Sequence, residues 1–276
     1  MCDEYYGYKE VCTTDEQLSE FYANLKINTF GCKINEYIIL RSEAGDVCAM
    51  YRWDGTEHKA VSDLPIRSRF LGKIKPRNPH QALAIDMLFN DNITVKMLAG
   101  KFGSGKTFLM SAAAVSMIEE KKFERIVYIR NNIEVKNSKP IGFLPGTYNE
   151  KLMPFAAPLA DHLGGFDGLD IKLRNKEIEV MHLGFIRGRD IKNSIIFCSE
   201  AENLTKEHIQ LLISRVGEGS ALWLDGDIKQ RDADIFMKNS GMAAVIDRLS
   251  GHPRFGYVKL QTTERSETAA MADLLD

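Results

Sequence analysis

The stretch that most restricts this chain is Gly100-Lys101-Phe102-Gly103-Ser104-Gly105-Lys106-Thr107, a complete G-x-x-x-x-G-K-[ST] pattern. It follows the apolar run Thr94 to Ala99 and opens a helical pattern from Gly105 to about Glu120, the strand–loop–helix setting that such a loop needs. Glycines let backbone N–H groups curl around phosphate oxygens, and the helix N-terminus adds its positive end. In this arrangement Lys106 reaches the β- and γ-phosphates and the Thr107 hydroxyl ligates Mg²⁺. The expected nucleotide-contacting set is Gly100, Phe102, Gly103, Ser104, Gly105, Lys106, Thr107 and Phe108.

The surrounding text fits that loop. Apolar runs at 94–99, 125–130, 194–198, 221–224 and 257–260 alternate with helical patterns, including one from about Thr205 to Val216. Such alternation predicts an α/β fold with a parallel sheet. Upstream, Tyr37 to Leu40, Val47 to Trp53 and His58 to Val61 are short β-like runs separated by Glu-Ala-Gly-Asp (43–46) and Asp54-Gly55. Asp-Gly is a tight-turn signal, so a small antiparallel meander is expected before residue 64. Asp15 to Asn24 reads either as a short helix capped by Thr14 or as a loose arm. The division is a β-rich element over 1–72 and a P-loop domain over 73–276.

Composition removes several alternatives. The formal charge is −2, so any nucleic-acid contact must be a local patch rather than bulk attraction. The longest apolar runs, Val47 to Tyr51 and Met242 to Ile246, have five residues where a membrane-spanning helix needs about 20. The acidic start lacks a secretory pattern, so a cytoplasmic protein is expected. Five cysteines and six histidines are dispersed without Cys-x-x-Cys or His-x-x-x-His spacing, which argues against a disulfide framework or a zinc site.

Two further features bear on the nucleotide. Gln81, in Asn78-Pro79-His80-Gln81 ahead of the helical stretch Ala82 to Phe89, could pair its amide with adenine N6 and N7, or simply face solvent in a first helical turn. No Asn-Lys-x-Asp guanine-reading motif accompanies it. A hydrolysing P-loop enzyme also needs a second strand that ends in acidic residues; Ile195 to Asn203, with Ser199, Glu200 and Glu202, is the candidate.

Taken in order, several short motifs resemble the PhoH family of P-loop ATPases, whose cores are similar to the first RecA-like domain of superfamily 1 helicases. They are Gly142-Phe-Leu-Pro-Gly146, Glu150-Lys151, Arg187-Gly-Arg189, Glu200-Ala-Glu-Asn203, Arg215-Val-Gly-Glu-Gly219, Asp225-Gly-Asp-Ile-Lys-Gln230, Ser240-Gly241 and Glu264-Arg-Ser266. The resemblance covers about residues 73 to 276 and implies a RecA-like P-loop NTPase core using ATP and Mg²⁺. It implies Glu200 as the water-activating carboxylate. Asp227 and Gln230 would sense the γ-phosphate, with Asp227 helping to hold Mg²⁺, and Arg265 would stabilise the transferring phosphoryl group. Arg187, Arg189 and Arg215 compete with Arg265 for a role across a subunit boundary, each with a surface ion pair as its plain alternative. A homo-oligomeric ring, such as a hexamer, acting on RNA or single-stranded DNA is the corresponding assembly, with no membrane involved. Longer relatives carry an N-terminal PIN-type ribonuclease domain. Residues 1–34 are too few for one, so the resemblance implies the ATPase half alone.

One departure matters. Where the family has Asp-Glu-Ala-Gln-Asn, this chain reads Ser199-Glu-Ala-Glu-Asn203, so the aspartate expected beside Mg²⁺ is serine. Weaker Mg²⁺ affinity or slower turnover follows, with Ser199→Asp expected to restore either. Two function classes therefore stand: an ATPase coupled to nucleic acid, and a nucleotide-binding switch or scaffold with little turnover. The basic stretch Arg67, Arg69, Lys73, Lys75, Arg77 and His80, with Phe70 interleaved, suits a single-stranded path or a solvated linker. The apolar loop 142–145 suits a wedge facing RNA or ordinary packing. Arg130-Asn131 stands where relatives have Arg-Pro.

Overall fold

The computed structural model describes residues 4–130, 153–230 and 234–262 of the chain. The loop 142–146, Glu150-Lys151, Asn131, Arg265 and the rest of Glu264 to Ser266 lie outside the described residues.

A six-stranded, all-parallel sheet forms the centre. Its strands are β7 (Val95–Gly100), β8 (Arg125–Arg130), β9 (Ile178–Met181), β10 (Ser194–Ser199), β11 (Ala221–Gly226) and β12 (Phe255–Leu260). They lie in the order β12-β7-β11-β10-β8-β9. Successive strand residues face opposite sides, and both sides are covered, which is why these runs read as continuously apolar. Ile126 and Tyr128 of β8, with Ile195 and Phe197 of β10, pack beneath α2 (Pro79–Phe89) and α3 (Lys106–Glu119). Val127, Ile129, Ile196 and Cys198 face the other way, in one cluster with Ile209, Leu212, Met242 and Val245. Those four belong to two helices on that side, Lys206–Ile213 and Gly241–Leu249.

Local sequence explains the helices that flank the loop. Asn78 caps α2 through its side chain, accepting the Gln81 N–H at 3.0 Å, and Pro79 occupies the first turn, where its missing donor is harmless. Ala112, Ala113 and Ala114 are fully buried, so α3 sits close against the sheet. The helix expected from Thr205 to Val216 is shorter. Thr205 caps it, and the chain leaves at Ser214 so that Val216 can bridge to Ile191.

The expected meander is present as β2 (Tyr37–Arg41), β3 (Val47–Trp53) and β4 (His58–Ala60), paired antiparallel. Its edge is a strand not foreseen, β1 (Tyr8–Cys12), which runs parallel to β2. Of the two readings of residues 15–24 the helix is the one observed, α1 (Asp15–Ala23), with Thr14 and Gln17 forming a reciprocal capping box. Every residue from Tyr37 to Leu40 is buried: Tyr37 and Ile39 join the cluster beneath α2 and α3, while Ile38 and Leu40 pack with Phe21 and Trp53. Asp86 of α2 accepts hydrogen bonds from Tyr37 Oη at 2.8 Å and Arg52 Nε at 3.2 Å, fastening the small sheet to the core. A hairpin of β5 (Ile66–Ser68) and β6 (Gly72–Ile74) then leads into α2, its turn held by the Glu119 carboxylate through the Arg69 and Phe70 amides.

Candidate nucleotide site

The loop after β7 lies at the carboxyl end of the parallel sheet, where open α/β folds place their ligands. Gly100 (φ 152°) and Gly105 (φ 88°) adopt conformations that favour glycine. A side chain at Gly100 would also come within 2.5 Å of the Leu260 carbonyl. No side chain caps α3, so its first amides are left to a ligand. Lys106 Nζ donates to the Gly100 and Lys101 carbonyls at 2.7 and 3.0 Å, which centres its ammonium on the loop. The buried Ser104 hydroxyl has no protein partner. A cradle of amides around one ammonium fits a polyphosphate.

Opposite the loop, the ends of β8, β10 and β11 build a wall. The Thr107 hydroxyl is hydrogen-bonded to Asp225 Oδ2, and Asp225 Oδ1 accepts the Glu200 N–H at 3.2 Å. Glu200 is in the left-handed region (φ 56°, ψ 44°), a conformation uncommon for a residue with a side chain and concentrated at functional sites. Its carboxylate pairs with the Arg130 guanidinium. Asp227 is buried; its N–H donates to Glu202 Oε2 at 3.1 Å and its carboxylate accepts the Lys229 N–H at 3.0 Å.

Loop and wall enclose a cleft of about 540 Å³. Thr107 lines it, as do Phe102, Gly103, Gly105, Lys106 and Phe108, and three positions far downstream in the sequence, Glu200, Asp227 and Gln230, converge on the loop there. Phe102 is 68% exposed at the rim. Arg130, from the pair that stands where relatives have Arg-Pro, also lines the cleft, as do Asp161 and His162, which carry no signal in the sequence; His162 packs edge-on against Phe108 at 5.6 Å, and burial lowers its pKa. Burial, reinforced by Asp225, raises the Glu202 carboxyl to about 8.

Gln81 lies behind the loop and is 4% exposed, which overturns the solvent-facing alternative. Its Nε2 donates to the Ser104 carbonyl at 3.3 Å and its Oε1 accepts the Arg77 N–H at 2.9 Å. It lines a second cleft of about 380 Å³ with Lys73, Lys75, Arg77 and Phe108, so much of the basic stretch borders the loop rather than forming a separate track. His80 leaves that stretch altogether: it is buried, stacks on Tyr8 and meets Glu10 Oε1 at 2.9 Å. Phe70 lies beneath the Lys172 ammonium, 4.8 Å from its ring centre. Arg189 pairs with Glu179 at 2.9 Å, the plain alternative for that residue. Among the described residues, the arginine lining the cleft is Arg130.

Fold and loop together define a P-loop nucleotide-binding protein built on a parallel α/β sheet. The family model for PhoH-like protein matches residues 73–274, and the chain belongs to that family. It is 33% identical to Protein PhoH2 of Bacillus subtilis over 99% of this chain and 65% of the relative. Protein PhoH2 of Mycolicibacterium smegmatis is 34% identical over 72% of this chain and 46% of its own length. The chain thus spans about half to two thirds of those relatives. Among solved structures it is similar to a Sulfolobus solfataricus SWI2/SNF2 ATPase core in complex with double-stranded DNA (TM-score 0.34, 19% identity, 60% of this chain and 33% of that one). It is also similar to the Pif1 helicase of Candida albicans (TM-score 0.37, 14% identity, 72% and 43%). Among the described residues, no helix is long and apolar enough to cross a membrane.

Proposed function

We propose that this chain binds ATP with Mg²⁺ and hydrolyses it, with turnover coupled to RNA or single-stranded DNA and performed by a homo-oligomeric ring. The observation that carries hydrolysis is the position of Glu200: a carboxylate fixed by Arg130 on the cleft wall that faces the phosphate loop. The loop amides and Lys106 hold the phosphates, and Glu200 orients water and accepts its proton. Asp227 and Gln230 read the γ-phosphate from the end of β11. Bound Mg²⁺ would neutralise charge on the phosphates, and the oxygen-rich set Thr107, Ser199, Asp225 and Asp227 suits that ion. Gln81 keeps one N–H and one lone pair beyond its two backbone bonds, the pair that adenine requires. Arg265 remains the proposed transition-state arginine, in its own chain or its neighbour's.

Phosphate release measured with and without RNA or single-stranded DNA, at fixed salt, tests this reading. Stimulation by the polymer supports it, and the polymer's affinity should fall with salt in proportion to the phosphates neutralised. A second reading, a nucleotide switch or scaffold, is favoured by Ser199 at the metal side of the site. Tight ATP binding with no phosphate release, with or without polymer, would establish it instead.

A further inference from the structure

The acid beside the Thr107 hydroxyl stands on β11, whereas the family pattern puts it on β10. The two strands run parallel with Cys198 opposite Leu224, so the next residues, Ser199 and Asp225, are neighbours across the ladder. Asp225 is 1% exposed, and its oxygens accept one hydroxyl and one amide hydrogen bond. Among the described residues no cation pairs with it. A buried carboxylate without a cationic partner is costly, and a metal ion is one of the few groups that offset that cost.

We propose that Asp225 supplies the magnesium-side carboxylate in place of the aspartate missing at position 199: the negative charge stands one strand over and still reaches the Thr107 hydroxyl. The inference rests on the ATP-binding reading above and sharpens it. Ser199 then leaves no deficit of charge, because the Asp225 carboxylate lines the same cleft from the neighbouring strand. What separates Asp225 from Asp227 is its hydrogen bond with the Thr107 hydroxyl, whereas the Asp227 carboxylate accepts the Lys229 amide. Asp225 also receives the Glu200 amide, so it helps fix the left-handed turn that aims Glu200 at the cleft.

The test is Mn²⁺ binding, read by electron paramagnetic resonance of free Mn²⁺, in the presence of a non-hydrolysable ATP analogue. Analogue affinity in EDTA is measured alongside. D225N should weaken Mn²⁺ binding at least about tenfold, within the range seen when groups around a metal are removed, and leave analogue affinity in EDTA within about threefold. S199D added to D225N should recover most of the loss. If D225N does not fold, S199D alone decides: it should change Mn²⁺ affinity less than about threefold, since a carboxylate is already present, and a gain beyond about tenfold contradicts the proposal. Unchanged Mn²⁺ binding by folded D225N overturns the role of Asp225 while leaving ATP binding intact. Failure of the unsubstituted protein to bind the analogue, with or without metal, overturns the nucleotide reading and this proposal together.

Discussion

Arg130 at the end of β8 forms an ion pair with Glu200 at the end of β10, two adjacent strands whose register brings Arg130 opposite Ser199. The pair fixes a carboxylate at the one wall of the cleft that faces the phosphate loop. Glu200→Gln keeps the side chain's shape and removes its basicity. It should leave ATP affinity within about threefold and lower turnover by 10²-fold or more. Single-turnover phosphate release beside equilibrium nucleotide binding separates the two.

Under the proposed function, Arg130 acts through its ion pair with Glu200 as a positioning residue. Arg130→Ala should reduce kcat by about 10- to 100-fold, the order expected when a reacting group loses its orientation, with KM changed less than about threefold. Arg130→Lys, which keeps charge without the planar fork, should recover part of kcat. An equal loss in KM and kcat/KM, with kcat intact, would make Arg130 a phosphate contact instead.

Glu202 gives a pH signature. Its carboxyl, raised from 4.5 to about 8 mainly by burial, keeps its proton in the folded protein after the unfolded chain has lost it. Stability from this group is full below pH 4.5 and is lost as pH rises towards 8. Glu202→Gln preserves the acceptor for the Asp227 amide and should flatten that decline, seen as a melting temperature that falls less between pH 5 and about 8 than the unsubstituted protein's.

Lys96 shows the opposite slope in a higher window. It is buried in β7, donates to the Leu88 carbonyl and lies over Trp223, and burial pulls its pKa from 10.5 down to about 7. The unfolded chain binds the extra proton between those values, so stability rises as pH increases through them. Against Lys96→Met, the unsubstituted protein should gain at most about 1.4 kcal/mol per pH unit above pH 7, roughly 2–4 °C in melting temperature. A gap between the two melting curves that is independent of pH would mean that the folded chain holds Lys96 charged, with the same proton as the unfolded chain, and would contradict the lowered pKa.

The loop, its strand and its helix were legible because the motif is local: glycine spacing, a capping pattern and an apolar run all sit within about thirty residues. Glu200, Asp227 and Gln230 were legible through ordered motifs, and they do line one cleft with the loop. The contact between Thr107 and Asp225 was not, because it spans 118 positions and depends on β11 lying between β7 and β10, a sheet order that strand patterns alone do not give. Asp161 and His162 carry no motif and reach the cleft only through the packing of their helix on α3. Strand β1 escaped notice because Tyr8–Cys12 alternates weakly and owes its place to the buried β2 beside it. His80 looked like one more cation in a basic run; Tyr8 and Glu10, seventy residues earlier, take it into the core.

Isothermal calorimetry of ATP with Mg²⁺, run on the unsubstituted protein and on Lys106→Ala, bears most directly on the phosphate cradle. Saturable heat for the former, weakened at least about tenfold in the latter while its melting temperature shows a folded protein, is the expected result, since the ammonium centred on the loop is the main fixed cation there. Saturable heat that is equal in both proteins, or none in either with ATP, ADP or GTP, would contradict the account.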